Sequence, residues 1–254
     1  VNLIVHHSNT RVEADLAVCE QHRVPIIITS LRAPDEVVGA VHQWGGKVFH
    51  DITTLRHAEK ALEAGVDGLI LVCAGAGGHA GTLSPFALLG EVRKIFDGPV
   101  VLSGAISRGS DIAAARAMGA DFAYMGTRFI ASHEANAAAD YKQMIVDATA
   151  RDIVYTPYFS GIPANYLKAS VAARGFDPDA LPDKPAGATS FGASESADKP
   201  GGDTPKAWRD IWSAGQGVGN IDSVLSVEEI VRQLQDEYHA ACQSLNDQFS
   251  AVYI

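Results

Sequence analysis

The feature that most restricts the fold of this chain is an alternation: short β-rich runs are followed by amphipathic helical windows, with strand starts recurring at roughly twenty-odd residues. Parallel strands cannot be joined by a tight turn, so each needs a crossover, and a helix is the usual one. Six strands fit the pattern, at Val1–Val5, Val24–Ser30, Lys47–Ile52, Asp67–Cys73, Pro99–Ser103 and Phe122–Met125. Helices fit between them at Arg11–His22, Pro34–Trp44, Thr54–Ala64, Pro85–Phe96 and Gly109–Met118. Two helix ends match each other. Glu63-Ala64-Gly65-Val66-Asp67 and Ala117-Met118-Gly119-Ala120-Asp121 both place glycine just past the helix, where a left-handed residue is needed, and aspartate before the strand. Six strands suit an open doubly wound sheet and are too few for a closed eight-stranded barrel, so the residues alone leave that choice open.

With 254 residues, 47% of them hydrophobic, one such core can be filled. A net charge of −10 argues against a nucleic-acid partner, because counterion release needs a basic face, so any bound phosphate should be small and local. Cys19, Cys73 and Cys242 lie far apart with no CxxC spacing, which indicates neither a disulfide framework nor a thiolate zinc site and fits a reducing cytoplasm. No apolar run approaches the roughly 20 residues that span a bilayer, so no membrane partner is expected. Val1–Val5 reads as a buried strand with no preceding turn, which leads to the expectation of further residues upstream.

After Phe129 the pattern changes. A helix is expected from about Asn136 to Ala150, followed by a Tyr155–Ala164 segment and a Gly175–Pro205 excursion rich in Gly, Pro, Ser, Asp and Ala, which reads as a lid or surface insertion. Ser226–Asn246 then reads as an amphipathic helix with Ser226 and Glu229 at capping-box spacing. Three parts are therefore expected: barrel or sheet units over 1–165, an excursion over 166–206, and a C-terminal helical segment over 207–254 that packs on the first part.

Three strand ends carry the candidate chemistry. Cys73-Ala-Gly-Ala-Gly-Gly-His-Ala-Gly81 lets backbone pass close to a planar ligand, and its His79 is the one side chain there able to exchange a proton near neutral pH. The spacing fits neither GxGxxG nor the Walker loop. Leu102-Ser-Gly-Ala-Ile-Ser107 and Met125-Gly-Thr-Arg-Phe129 end the next two strands, where Gly104, Ala105, Gly126 and Thr127 offer amides to a phosphate. Each is also an ordinary strand-to-helix turn when read alone. Their weight comes from three consecutive strand ends facing one pocket. His6, His7, His50, Asp51 and His79 also lie near strand ends and raise a metal-dependent hydrolase. Adjacent histidines on a strand point to opposite faces, however, and no HxH strand or bridging carboxylate is present, so no metal is expected.

Taken together, the GGHAG segment after Asp67–Val72, VVLSGAI at Val100–Ile106, GADFAYMGTRF at Gly119–Phe129 and IWSAGQG at Ile211–Gly217 resemble the nitronate monooxygenase (2-nitropropane dioxygenase) family. The match runs in order across about residues 1–165 and resumes over Ile211–Gln243. This resemblance implies an FMN-binding (β/α)8 TIM barrel of which six βα units are visible, as strands three to eight, with a C-terminal helical extension. Relatives usually carry two earlier strands, so the sheet is expected to stay open, with the edges at Val1–Val5 and Phe122–Met125 unpaired.

The resemblance also implies roles. His79 would stand beside the flavin as acid/base or as donor to the substrate's developing charge, and Gly77 and Gly78 would let the loop pack on the ring. Gly104, Gly126 and Thr127 would hold the FMN phosphate, with Ser103, Ala105 and Met125 completing the cofactor set. Ser213 and Gln216 would form part of the pocket wall, while the Arg128 side chain is expected in the helix layer. Asp51 occupies a position where some relatives place Ser or Lys near the flavin, and a carboxylate there disfavours an anionic reduced flavin. The implied reaction is oxidation of alkyl nitronates by dioxygen. The alternative is an NAD(P)H-dependent flavin reductase of the enoyl-ACP reductase or quinone reductase kind, and a non-catalytic binding module is a third reading; fold and cofactor do not separate these. The implied partners are a small-molecule substrate, either a nitronate or NAD(P)H with an acceptor, and dioxygen; a homodimer is left open.

Overall fold

The computed structural model describes residues 1–182 and 207–252. Its first strands, β1 (Asn2–Val5), β2 (Ile26–Leu31), β3 (Lys47–Ile52) and β4 (Gly68–Val72), pair in sequence order. A two-residue strand, β5 (Gly78–His79), leaves the series, which continues with β6 (Val100–Ser103) and β7 (Phe122–Tyr124). All pairings in this six-stranded sheet are parallel. The crossovers are α1 (Val12–Gln21), α2 (Asp35–Gln43), α3 (Leu55–Glu63), α4 (Pro85–Val92) and α5 (Gly109–Ala117). The six units expected from the periodicity are thus present, and the barrel-type sheet ends at β1 on one side and β7 on the other. Val1 and Phe122 at these edges are each 58% exposed.

The period of two along each strand sorts residues between two faces. Val48, Ile52, Leu69, Leu71, Val100 and Leu102 pack against Val37, Val41, Ala58, Leu88 and Val92 of the helices and form the main core. Each fully buried aliphatic side chain of this kind contributes about 1.5–3 kcal/mol. The alternate residues Ser30, Asp51, Val72, Ser103 and Tyr124 face the other side, where they line a cavity. Gly65 (φ +84°) and Gly119 (φ +102°) take the expected left-handed conformation past α3 and α5. The aspartates that follow have a common use: Asp67 Oδ2 accepts the Val48 N–H and Asp121 Oδ2 accepts the Val100 N–H, each at 2.8 Å. Both carboxylates thereby tie the start of one strand to its neighbour.

Beyond β7 come α6 (Thr127–Ile130), α7 (Ala139–Asp147), β8 (Ile153–Thr156), β9 (Ala164–Leu167) and α8 (Lys168–Ala172). Helix α7 is shorter than the expected Asn136–Ala150. Strands β8 and β9 form an antiparallel hairpin to which β5 adds, in the order β5-β9-β8. The Tyr155–Ala164 segment thus supplies parts of both hairpin strands and the turn between them. Most of the Gly-, Pro- and Ser-rich stretch falls at 183–206, outside the described residues. Among the described residues no helix is long and apolar enough to cross a membrane.

The chain continues to α9 (Val227–Val252), whose start shows the expected capping box. The Ser226 N–H donates to Glu229 Oε2 at 2.8 Å and the Glu229 N–H donates to Ser226 Oγ at 3.2 Å. Helix α9 lies on α5, and the Gly109 N–H donates to Glu237 Oε2 at 2.7 Å. A Cβ at Gly109 would overlap the Leu234 carbonyl and the Tyr238 amide, both backbone groups with little freedom to move. Gly109→Ala should therefore lower folding stability by about 2–3 kcal/mol. A urea midpoint equal to that of wild type would show that α9 does not dock this way.

Candidate active site

The turns after β4, β6 and β7 meet the segment from Trp208 to Gly217. The Gly75 carbonyl accepts two amides, from Ala105 at 3.2 Å and Gln216 at 2.8 Å. The Gly215 N–H donates to Thr127 Oγ1 at 2.9 Å, and Ser107 Oγ donates to the Gly217 carbonyl at 2.7 Å. Close approach explains the glycine at 215, because a Cβ there would lie 2.6 Å from the Gly75 oxygen. Asn165 of β9 is buried and donates through Nδ2 to the Ala76 carbonyl at 2.7 Å, fixing the other end of the Gly-rich turn.

These contacts enclose a cleft of about 310 Å³. Gly77, Gly78, Ser103, Gly104, Ala105, Met125, Gly126, Thr127 and Ser213 all line it, joined by Tyr124 and Trp208. The structure thus brings together nearly the whole set expected around a cofactor. Two expectations change. The Ala105 amide is committed to Gly75 and is not free to reach a phosphate. Gln216 is exposed and stands outside the cleft wall, where its backbone N–H and its side chain both lie against the Gly75 turn. Arg128 is buried in the helix layer as expected, donating to the Ser223 carbonyl at 3.3 Å and Gln233 Oε1 at 3.1 Å. Among the described residues no hydrogen bond engages the Gly104 or Gly126 amide. A Cβ at Gly126 would meet nothing within 4 Å, so this turn faces space that the chain itself does not fill.

A second chamber of about 530 Å³ shares Gly77, Ser103 and Tyr124 with the first and is lined by Ser30, Asp51, His79 and Tyr155. His79 is held in β5 opposite Ala164, with Nε2 3.3 Å from Ser160 Oγ. The Ser160 hydroxyl also lies 2.8 Å from the Ile162 carbonyl, to which it donates, and accepts from the Tyr166 hydroxyl at 3.4 Å. The His79 ring meets Trp208 edge-on, with centroids 5.2 Å apart at 89°. Burial lowers the His79 pKa, which keeps the ring neutral at pH 7.

Asp51 accepts a hydrogen bond from Ser30 Oγ at 2.7 Å on Oδ2, while Oδ1 is buried with no hydrogen-bond partner. Burial pushes its carboxyl up to about 6, opposed by the Ser30 hydrogen bond. Tyr124 is raised by burial and by the Asp51 charge. The preceding residue, His50, projects from the opposite face, with Nδ1 2.8 Å from Thr29 Oγ1. Burial, then the nearby His57 charge, lowers it to about 4. Among the described residues no three His, Cys, Asp or Glu side chains gather where a metal could bind.

Trp208, Tyr155, Ser160 and Asn165 were not singled out in the sequence. Each reaches the site through the β8–β9 hairpin or the segment near Ile211, whose pairing with β5 leaves no trace in local periodicity.

Six βα units with a ligand-sized cleft at their C-terminal strand ends define a barrel-type α/β protein whose chemistry belongs to that face. A family model for nitronate monooxygenase matches residues 3–237, and the chain belongs to that family. It is 31% identical over 175 residues to the nitronate monooxygenase of Paraburkholderia phytofirmans, covering 65% of this chain and 48% of that protein. Among solved structures it is similar to FabK from Thermotoga maritima, with a TM-score of 0.77 and 25% identity, covering 98% of this chain and 78% of that one. It is also similar to a nitroalkane oxidase from Streptomyces ansochromogenes, with a TM-score of 0.69 and 26% identity over 92% and 69% of the two chains. The chain spans 48% to 64% of the length of the first curated relatives it matches.

The buried Asp51 carboxyl has a consequence for stability. Its folded pKa lies above the ordinary 3.8, so ionisation opposes folding. The stability associated with the neutral form is complete below 3.8 and is lost as pH rises through about 6. Asp51→Asn should therefore raise the unfolding free energy near neutral pH, by on the order of 2 kcal/mol. Thermal melts should show this gain shrinking as the pH is lowered toward 4. A pH-independent gain, or a loss at neutral pH, would contradict the assignment.

Proposed function

We propose that the chain is the cofactor-binding part of an FMN-dependent oxidoreductase that oxidises alkyl nitronates with dioxygen. The observation that carries this reading is the convergence of three strand ends on one cleft with unengaged Gly104 and Gly126 amides and unfilled space at Gly126. Amides of this kind suit a phosphate, and at Gly78, where a Cβ would meet only the Trp208 ring at 3.9 Å, the loop leaves room beside them for a planar ring. FMN, when bound, supplies the electron transfer between substrate and dioxygen. The protein's part is orientation and proton management. His79, its pKa lowered by burial, stands in the adjoining chamber as acid/base or as donor toward charge developing on the substrate. Cys19, Cys73 and Cys242 are free thiols, which fits a reducing cytoplasm.

A second reading, an NAD(P)H-dependent flavin reductase, is favoured by the likeness to FabK, which extends over 98% of this chain. Anaerobic mixing of the FMN-loaded protein with an alkyl nitronate and, separately, with NADPH distinguishes the two. Bleaching by the nitronate alone supports the first reading, and bleaching by NADPH alone overturns it.

Two substitutions examine the site. Gly126→Val introduces a branched side chain where the protein has space, so the urea midpoint should hold while flavin content falls at least tenfold; unchanged flavin content would place the phosphate elsewhere. His79→Asn should keep FMN while slowing flavin reduction by the reactive donor, by roughly 10²- to 10⁴-fold. Equal rates at equal flavin content would reduce His79 to a structural loop residue.

A further inference from the structure

The two turns assigned to the phosphate are also held from behind, by α9. Strand β6 ends at Ser103 and β7 at Tyr124, which fixes where each turn begins. Their far ends lead into Gly109, the first residue of α5, and into Arg128 of α6. Both of these residues bond to one face of α9. The Gly109 N–H donates to Glu237 Oε2 at 2.7 Å, and Arg128 Nη2 donates to Gln233 Oε1 at 3.1 Å. Gln233 and Glu237 stand about one helical turn apart, and Gln233 Nε2 donates to Glu237 Oε1 at 3.0 Å. A continuous relay, Arg128–Gln233–Glu237–Gly109, thus spans the bases of both turns.

The middle of this relay suits an amide. A guanidinium only donates and a carboxylate only accepts, so a neutral residue between them must accept on one side and donate on the other. Arg128 is 4% exposed and both its hydrogen bonds go to uncharged oxygens, the Ser223 carbonyl and Gln233 Oε1. Among the described residues no carboxylate lies within ion-pair distance of it. A buried cation is costly unless its charge is answered, and Gln233 links this one to the Glu237 carboxylate. Gln233 itself is exposed, so burial does not explain its place.

We propose that Gln233 is a positioning residue: through Arg128 and Glu237 it fixes the separation of the Gly104 and Gly126 turns and so sets the affinity of the cleft for a phosphate monoester. This rests on the assignment of a phosphate to those turns and adds to it a residue that lies outside the cleft wall. The coupling is reciprocal, because a ligand that holds the two turns at one spacing also strengthens the docking of α9 on α5.

Isothermal titration of the full chain with FMN and with riboflavin, beside a thermal melt of the ligand-free protein, tests this. Gln233→Met cuts the relay in the middle and should raise the Kd for FMN at least fivefold, while the Kd for riboflavin, which has no phosphate, changes less than twofold. A residue that only supported the fold would move both ligands together. Gln233→Glu should also weaken FMN, because it sets a second carboxylate against Glu237. Adding Glu237→Gln to that variant restores every bond with the amide and the carboxylate exchanged, so FMN affinity should return to within twofold of wild type. If wild type prefers FMN, then unchanged FMN affinity in Gln233→Met, equal losses for the two flavins, or no recovery in the double variant would each overturn the role of Gln233 and leave the phosphate site standing. A wild type without that preference would overturn the phosphate assignment and the role of Gln233 with it.

Discussion

The carbonyl oxygen of Gly75 is the point on which the site depends. It accepts amides from the turn after β6 and from the segment near Ile211, and the backbone at Gly215 packs within a Cβ's reach of it. A backbone hydrogen bond contributes only about 0.5–1.5 kcal/mol net, but a buried carbonyl left without a donor costs more. Two donors from distant parts of the chain therefore keep three segments in one arrangement. Thr127 adds the fourth through its hydroxyl, which holds Gly215 and so links the turn after β7 to the same assembly. The cleft is a consequence of this junction: its walls are turns that cannot separate without exposing unpaired backbone.

From that junction the inner face of the sheet divides into two environments. Near Gly104 and Gly126 the lining is backbone and small side chains, suited to an anion that binds through amides. Toward β2 and β3 it is Ser30, Asp51, Tyr124 and His79, suited to a group that exchanges protons. The β8–β9 hairpin closes the boundary. It pairs with Gly78 and His79, presents Ser160 to the imidazole, and sends Asn165 to the Ala76 carbonyl. The cleft and the chamber share Gly77, Ser103 and Tyr124, so the two environments adjoin.

Local physics made much of this legible in the sequence. The six strands follow from hydrophobic periodicity, the left-handed turns from Gly65 and Gly119, and the capping box from Ser226 and Glu229. The convergence of Gly77, Gly104 and Gly126 follows from three successive strand ends, because all parallel strands of one sheet present their C-terminal ends on the same side. Period-two alternation also separates His50 from Asp51. Properties set by distant pairing were not legible. The hairpin joins His79 to Ala164, far along the chain, and neither residue advertises its partner. Ala105 resembles a free donor until the Gly75 carbonyl is placed beside it, and Gln216 resembles a wall residue until it is seen lying against the Gly75 turn. The unpaired Oδ1 of Asp51 is likewise a property of the assembled cavity and not of the residue.

The central claim is that the Gly104 and Gly126 turns hold a phosphate. Titration of the protein with FMN and with riboflavin, followed by flavin fluorescence, tests it most directly, because the two ligands share a ring system and differ in the phosphate. The account predicts that FMN binds at least tenfold more tightly than riboflavin, with the difference largely lost in Gly126→Val. Equal affinity for the two flavins, or a preference that survives the substitution, would contradict it.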